Sequence, residues 1–201
     1  MSNDEPESPQ GPINEPVHHS SVSARVPAHI GRGVLSTGVM VFEGPSEFVL
    51  DFVLRLAQPH VIAARIVLSH LVCGQFIMAL KDNLRNYQER FGPPPSLPVP
   101  PPGGGPQTIE EIYDSLKLPD EMMSGVYANA VMIGHTPAEF WFDFITNFYP
   151  KSAVSSRVYL AAQHVPGVLE TLITSYQAHQ RRLDAGQNPP GPSLPDDPGL
   201  N

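Results

Sequence analysis

One stretch of this chain recurs 92 residues later without a gap: GPSEFVLDF at residues 44 to 52 is answered by TPAEFWFDF at residues 136 to 144. Pro45, Glu47, Phe48, Asp51 and Phe52 return as Pro137, Glu139, Phe140, Asp143 and Phe144. Arg65 returns as Arg157, Leu68 as Leu160 and Leu80 as Leu172. A self-match at a fixed period sets how many related bodies a chain can form and how they must bury surface, so it ranks ahead of every other signal. It names no reaction.

The 24 prolines divide the chain further. Five fall in residues 1–27, nine in 93–119 and five in 189–198. Proline lacks the amide donor and fixes its own φ, so these stretches cannot sustain helix or sheet ladders. The net charge of −8 is distributed in the same way: residues 1–25, 93–124 and 184–201 carry −3, −4 and −3, whereas 26–92 and 125–183 each carry +1. This predicts a disordered acidic tail over 1–26, a first unit over 27–92, a Pro/Gly linker over 93–107, a short docking helix and connector over 108–124, a second unit over 125–183 and a disordered tail over 184–201. Near-neutral units between acidic arms offer little to a phosphate backbone, so nucleic acid is not expected as a partner. MSNDEPESPQ has neither the basic nor the apolar region of a secretory signal. No apolar run approaches the roughly 20 residues that span a bilayer. A single cysteine, Cys73, excludes an intrachain disulfide and a multi-cysteine zinc site. The simplest expectation is a soluble cytoplasmic protein without cofactor.

Within each unit the period is first two and then near 3.6. Phe48, Leu50, Phe52, Leu54 and Leu56 alternate with Glu47, Val49, Asp51, Val53 and Arg55. Phe140, Phe142, Phe144, Thr146 and Phe148 alternate in the same way, which predicts strands with these rows on the core face. β-prone stretches lie before each, at 38–42 and 128–133, and after each, at 65–68 and 157–160. Apolar residues then recur every three or four positions: Cys73, Phe76, Leu80, Leu84, Tyr87 and Phe91 in one unit, and Val165, Val168, Leu169, Leu172 and Tyr176 in the other. Gly92-Pro93 ends the first helix, and Pro166 suits the first turn of the second. The expected fold class is α+β: two β-β-β-α repeats, each a three-stranded antiparallel meander with a C-terminal helix. A body of about 60 residues buries only about 60% of its unfolded surface. The two are therefore expected to pack as an intrachain pseudo-dimer, with a higher homo-oligomer left open. Residues 93–107 could reach about 45 Å at about 3.1 Å per residue, enough to permit this.

Glu47 and Asp51, like Glu139 and Asp143, sit four apart on a strand and face one way. They read either as a carboxylate dyad tuned by Arg65 or Arg157 or as structural ion pairs, Asp51 with Arg65 and Asp143 with Arg157 across a hairpin. Recurrence of the same residue types in both units favours framework. The eight histidines show no helical ligand spacing. Cys73 falls on an apolar helix stripe, as a buried and inert thiol would. Gly103–Gly105 do not make a phosphate loop, since no strand-to-helix turn surrounds them. In TIEEIYDSL, residues 108–116, Thr108 and Glu111 form a capping-box pattern. Ile109, Ile112, Tyr113 and Leu116 make a one-sided stripe that must dock, either on the protein's own body or on a partner.

The run RIVLSHLVCGQFIMALKDNLRNYQERFG, 65–92, resembles the second half of the uncharacterised bacterial family known as domain of unknown function 3467, and VYANAVMIGHTPAEFWFDF, 126–144, resembles its first half. The resemblance places the family's pattern on Tyr127, Ala128, Asn129, Glu139, Phe140, Asp143, Phe144 and Arg157 in the second unit. In the first it falls on Glu47, Phe48, Asp51, Phe52, Arg65, Asn83, Tyr87, Phe91 and Gly92. The first unit has Leu35, Ser36 and Thr37 in place of the opening triplet. The second has Ser175, His179, Leu183 and Asp184 in place of the helix-end set. The resemblance implies that each copy retains the half the other has lost, and it transfers no catalytic residue.

The expected function is a non-enzymatic protein-interaction adaptor built on the duplicated module, with a protein partner of unspecified identity. A polypeptide-binding chaperone and a weak nucleic-acid-binding regulator, acting through Arg85, Arg90, Arg181 and Arg182, are the alternatives.

Overall fold

A computed structural model describes residues 24–98, 115–148 and 151–186. The chain is α+β, with two mixed sheets and two long helices. Strands β1 (Val34–Ser36), β2 (Gly38–Glu43), β3 (Glu47–Leu54) and β4 (His60–Ser69) lead into helix α1 (His70–Phe91). Strands β5 (Leu116–Lys117), β6 (Val126–Ala128), β7 (Ala130–His135), β8 (Glu139–Phe148) and β9 (Lys151–Ala161) precede helix α2 (Val165–Asp184). Ser69 caps α1 by accepting from the Val72 amide. Gly92, at φ 83°, ends it, and Pro166 occupies the first turn of α2.

The antiparallel sets β2-β3-β4 and β7-β8-β9 form as expected, but neither stands alone. β1 leaves its own half and pairs in parallel with β9, Leu35 facing Tyr159. Conversely, β6 pairs in parallel with β4, Tyr127 facing Val67. The two registers map onto each other at the 92-residue offset, as do the pairing of Lys117 with Val61 and the bridge of Arg25 with Ala153. The expectation of purely antiparallel three-stranded sheets is thus corrected. Each meander has a bare edge on its last strand, and a segment from the other half satisfies its backbone groups.

Chain entry into both parallel strands requires glycine. Gly33 and Gly125 have φ of 62° and 69°. A Cβ on Gly33 would lie 2.6 Å from Tyr159 Cε2, and one on Gly125 would lie 3.0 Å from Arg65 Cγ.

Phe48, Leu50, Phe52, Phe140, Phe142 and Phe144 are fully buried in one core that also holds Phe76 and Leu80 of α1 and Val168 and Leu172 of α2. Phe76 stands edge-on to Phe142 and Phe144 at 5.2 and 5.6 Å, so α1 reaches the sheet of the second half. Helix α1 packs along β7 and α2 along β2, and each helix therefore covers the other half's sheet.

The expected core row does not continue to the strand ends. Between Phe52 and Val53 the register with β4 shifts, leaving Ala63 without a partner, and the same irregularity follows Phe144, leaving Ser155. Such a bulge turns the strands. Leu54 and Thr146 end half-buried, Leu56 and Phe148 are 70% and 60% exposed, and Val53 and Ile145 are buried instead.

Candidate functional site

The cross-strand register sets Asp51 opposite Arg65 and Asp143 opposite Arg157. Both pairs are bidentate. Arg65 Nε and Nη2 donate to Asp51 Oδ1 and Oδ2 at 2.7 and 2.7 Å, and Arg157 Nε and Nη2 donate to Asp143 at 2.6 and 2.7 Å. Both carboxylates are buried, and the Asp143 hydrogen bonds push the Arg157 guanidinium above its ordinary range. Arg65 Nη1 also donates to the Met123 carbonyl, which fastens the loop before β6 over the pair. The two acids four apart on each strand do not form a dyad. Glu47 accepts from the Ser46 amide at the β2–β3 turn, and Glu139 is exposed. Each guanidinium donates one hydrogen bond to each carboxylate oxygen, and the pair bridges adjacent strands.

Cys73 is buried in α1, and burial pushes its thiol up to about 12. Among the described residues no group of three His, Cys, Asp or Glu could hold a metal ion. Leu116, expected on the docking helix, instead extends β5 beside His60. Its backbone pairs with β4, and the strand geometry overrides the helical spacing. Ile109, Ile112 and Tyr113 lie outside the described residues, as do most of the linker and tail segments. No helix among the described residues is long and apolar enough to cross a membrane. A hollow of about 190 Å³ is lined by Pro95, Pro137, Ala138, Ala161, Ala162 and Gln163, with no titratable side chain. It is smaller than the roughly 300 Å³ at which small-molecule pockets begin.

The opening triplet and the helix end make separate contacts. Asn129 accepts from the Asn147 amide at 2.7 Å and donates to its carbonyl at 3.1 Å, clamping the start of β7 to β8. Thr37, its counterpart 92 residues earlier, accepts from the Arg55 amide at 3.0 Å. At the helix ends, Tyr87 donates to the Pro137 carbonyl at 2.7 Å, whereas its counterpart His179 places Nδ1 2.6 Å from Glu43 Oε1. Arg182 also pairs with Glu43, and the His70 ring lies 3.9 Å from that of His179. Burial, and then His179, hold His70 below the ordinary histidine range. The half that resembles the family least at each point thus uses a different residue for an equivalent contact.

Sequence reasoning missed the outward face of the four-stranded sheet. Cross-strand register aligns Gly134, Trp141, Tyr159 and Leu35 in one row over β7, β8, β9 and β1. The Trp141 indole lies across Gly134, where a Cβ would clash with it. Leu35 is 46% exposed, and Met132 beside the row is 53% exposed. The equivalent row of the other sheet is Phe42, Val49, Val67 and Tyr127. The signal available in sequence was parity: these residues alternate with the core row, and the second half is the more aromatic.

No curated protein matches the chain. The family described as "Protein of unknown function (DUF3467)" matches residues 1–95 and again 101–184. The self-match at 92 residues and these two matched segments have one explanation: the chain belongs to the DUF3467 family and carries two copies of its domain.

Proposed function

We propose that this protein is a non-enzymatic adaptor, two fused β-β-β-α modules joined as an intrachain pseudo-dimer that presents the outward face of its four-stranded sheet to a protein partner. The pseudo-dimer is supported by the reciprocal placement of β1 and β6 at one common register offset. Exchange of this kind joins two small bodies through backbone hydrogen bonds as well as side chains. The adaptor reading rests on the row of Trp141, Tyr159 and Leu35, in which Leu35 is exposed and the two aromatic side chains are half-buried on the face opposite the core row. Aromatic residues at the centre of a patch are what protein interfaces favour.

The test is affinity capture from native extract with the whole chain and with Trp141→Ser/Tyr159→Ser, which leaves the core row untouched. The reading expects one stoichiometric partner retained by the native chain and lost by the variant, with unchanged circular dichroism. Retention by both chains, or no stoichiometric partner, would remove it. Suppression of aggregation of unrelated unfolded proteins would replace it with a chaperone.

A further inference from the structure

The two helix–sheet seams are equivalent in place and differ in charge. At the end of α2, Glu43 of β2 meets His179 and Arg182. At the end of α1, 92 residues removed in each case, His135 of β7 meets Tyr87 and Arg90. The acid of one seam is thus replaced by an imidazole in the other, while the arginine remains.

His135 is caged by rings: Phe140 at 5.0 Å, Tyr87 at 5.7 Å and Phe91 at 6.1 Å between centroids. Its Nδ1 is buried without a hydrogen-bond partner. Arg90 is the charged group facing it from α1, and no ion pair joins a carboxylate to it among the described residues. A proton on this ring would add positive charge beside a guanidinium, at a nitrogen that burial has taken out of water. In the other seam Glu43 pairs with Arg182 and lies 2.6 Å from His179 Nδ1, while burial and His179 hold the neighbouring His70 below its ordinary range in spite of Glu47.

We propose that the contact of α1 with β7 is an acid-released catch: protonation of His135 loosens the last turns of α1 from β7. Burial first, and Arg90 second, hold His135 below the ordinary histidine range of about 6.5. The folded state therefore prefers the neutral ring. The unfolded or released state takes up protons as pH falls through about 6.5, so stability is lost in that window and levels off below the depressed native value.

The experiment is hydrogen exchange of the whole chain at pH 7.5 and 5.5, corrected for intrinsic rates. Acidification is expected to raise opening several-fold at residues 84–91 and 130–135. His135→Phe and His135→Gln, which cannot gain charge, should each abolish that rise. No opening at these residues, or a folded variant that still opens there on acidification, would overturn the proposal. A titration of His135 by NMR in the unaltered chain gives a readout independent of the variants, and a midpoint at or above the ordinary value would also overturn it.

Discussion

Asp51→Ala removes the carboxylate from one bidentate pair and leaves Arg65 charged, its side chain only 16% exposed, with a hydrogen bond to the Met123 carbonyl. Stranding one member of such a pair costs about 3–5 kcal/mol, because the remaining charge has left water without its counter-charge. At about 2–4 °C per kcal/mol for a chain of this size, the melting temperature should fall by roughly 6–20 °C. Asp51→Ala/Arg65→Met, which removes both charges and keeps an aliphatic stem over the sheet, should recover at least about half of the loss. Urea denaturation of the single and double variants gives the coupling energy directly. The same cycle on Asp143 and Arg157, which share the register and are also buried, should agree within about 1 kcal/mol. If Asp51→Ala cost less than about 1 kcal/mol, or the double variant lost the sum of the singles, the locking role assigned to these pairs would be wrong.

Phe52→Ala and Phe144→Ala should each cost about 3–5 kcal/mol, since both rings are fully buried. Leu56→Ala, at a position 70% exposed, should stay within about 0.5 kcal/mol. Equal melting curves for the Phe52 and Leu56 variants would refute the bulge as the end of the core row. Cys73, with its thiol pushed up to about 12 by burial, should label with a disulfide reagent at pH 8 only as fast as the chain opens, and labelling at the rate of a free thiol would contradict its placement.

What the sequence made legible were properties carried by spacing along a single segment. The period of two around Phe48 and Phe140 identified β3 and β8, the 3.6 period identified both helices, and the recurrence of Asp and Arg 14 residues apart identified the ion pairs. Properties set by contact between segments were illegible. Val34–Ser36 is too short to show a period, and its partner Val158–Leu160 lies in the other half of the chain. The bulges at Ala63 and Ser155 have no proline or glycine to announce them. Leu116 matches a helical stripe and nonetheless extends a strand, because Lys117 has a parallel partner in Val61.

The 92-residue offset also tells conserved geometry from altered chemistry within one chain. Where both halves keep the same residue types, at Asp51 and Asp143 or Arg65 and Arg157, the contacts coincide in partner and geometry. Where the types differ, the contact survives by other means: Thr37 for Asn129 at the clamp, and His179 with Glu43 for Tyr87 with Pro137 at the helix end. A seam whose only task is to hold a helix could be served equally by either chemistry. The two seams nevertheless differ in charge: Glu43 faces Arg182 in one, and among the described residues no ion pair joins a carboxylate to Arg90 in the other. Placing Glu at His135 would give the α1 seam the charge balance of its counterpart, a carboxylate facing Arg90 as Glu43 faces Arg182. Divergence between the halves has therefore left the architecture alike while giving its two ends different charge.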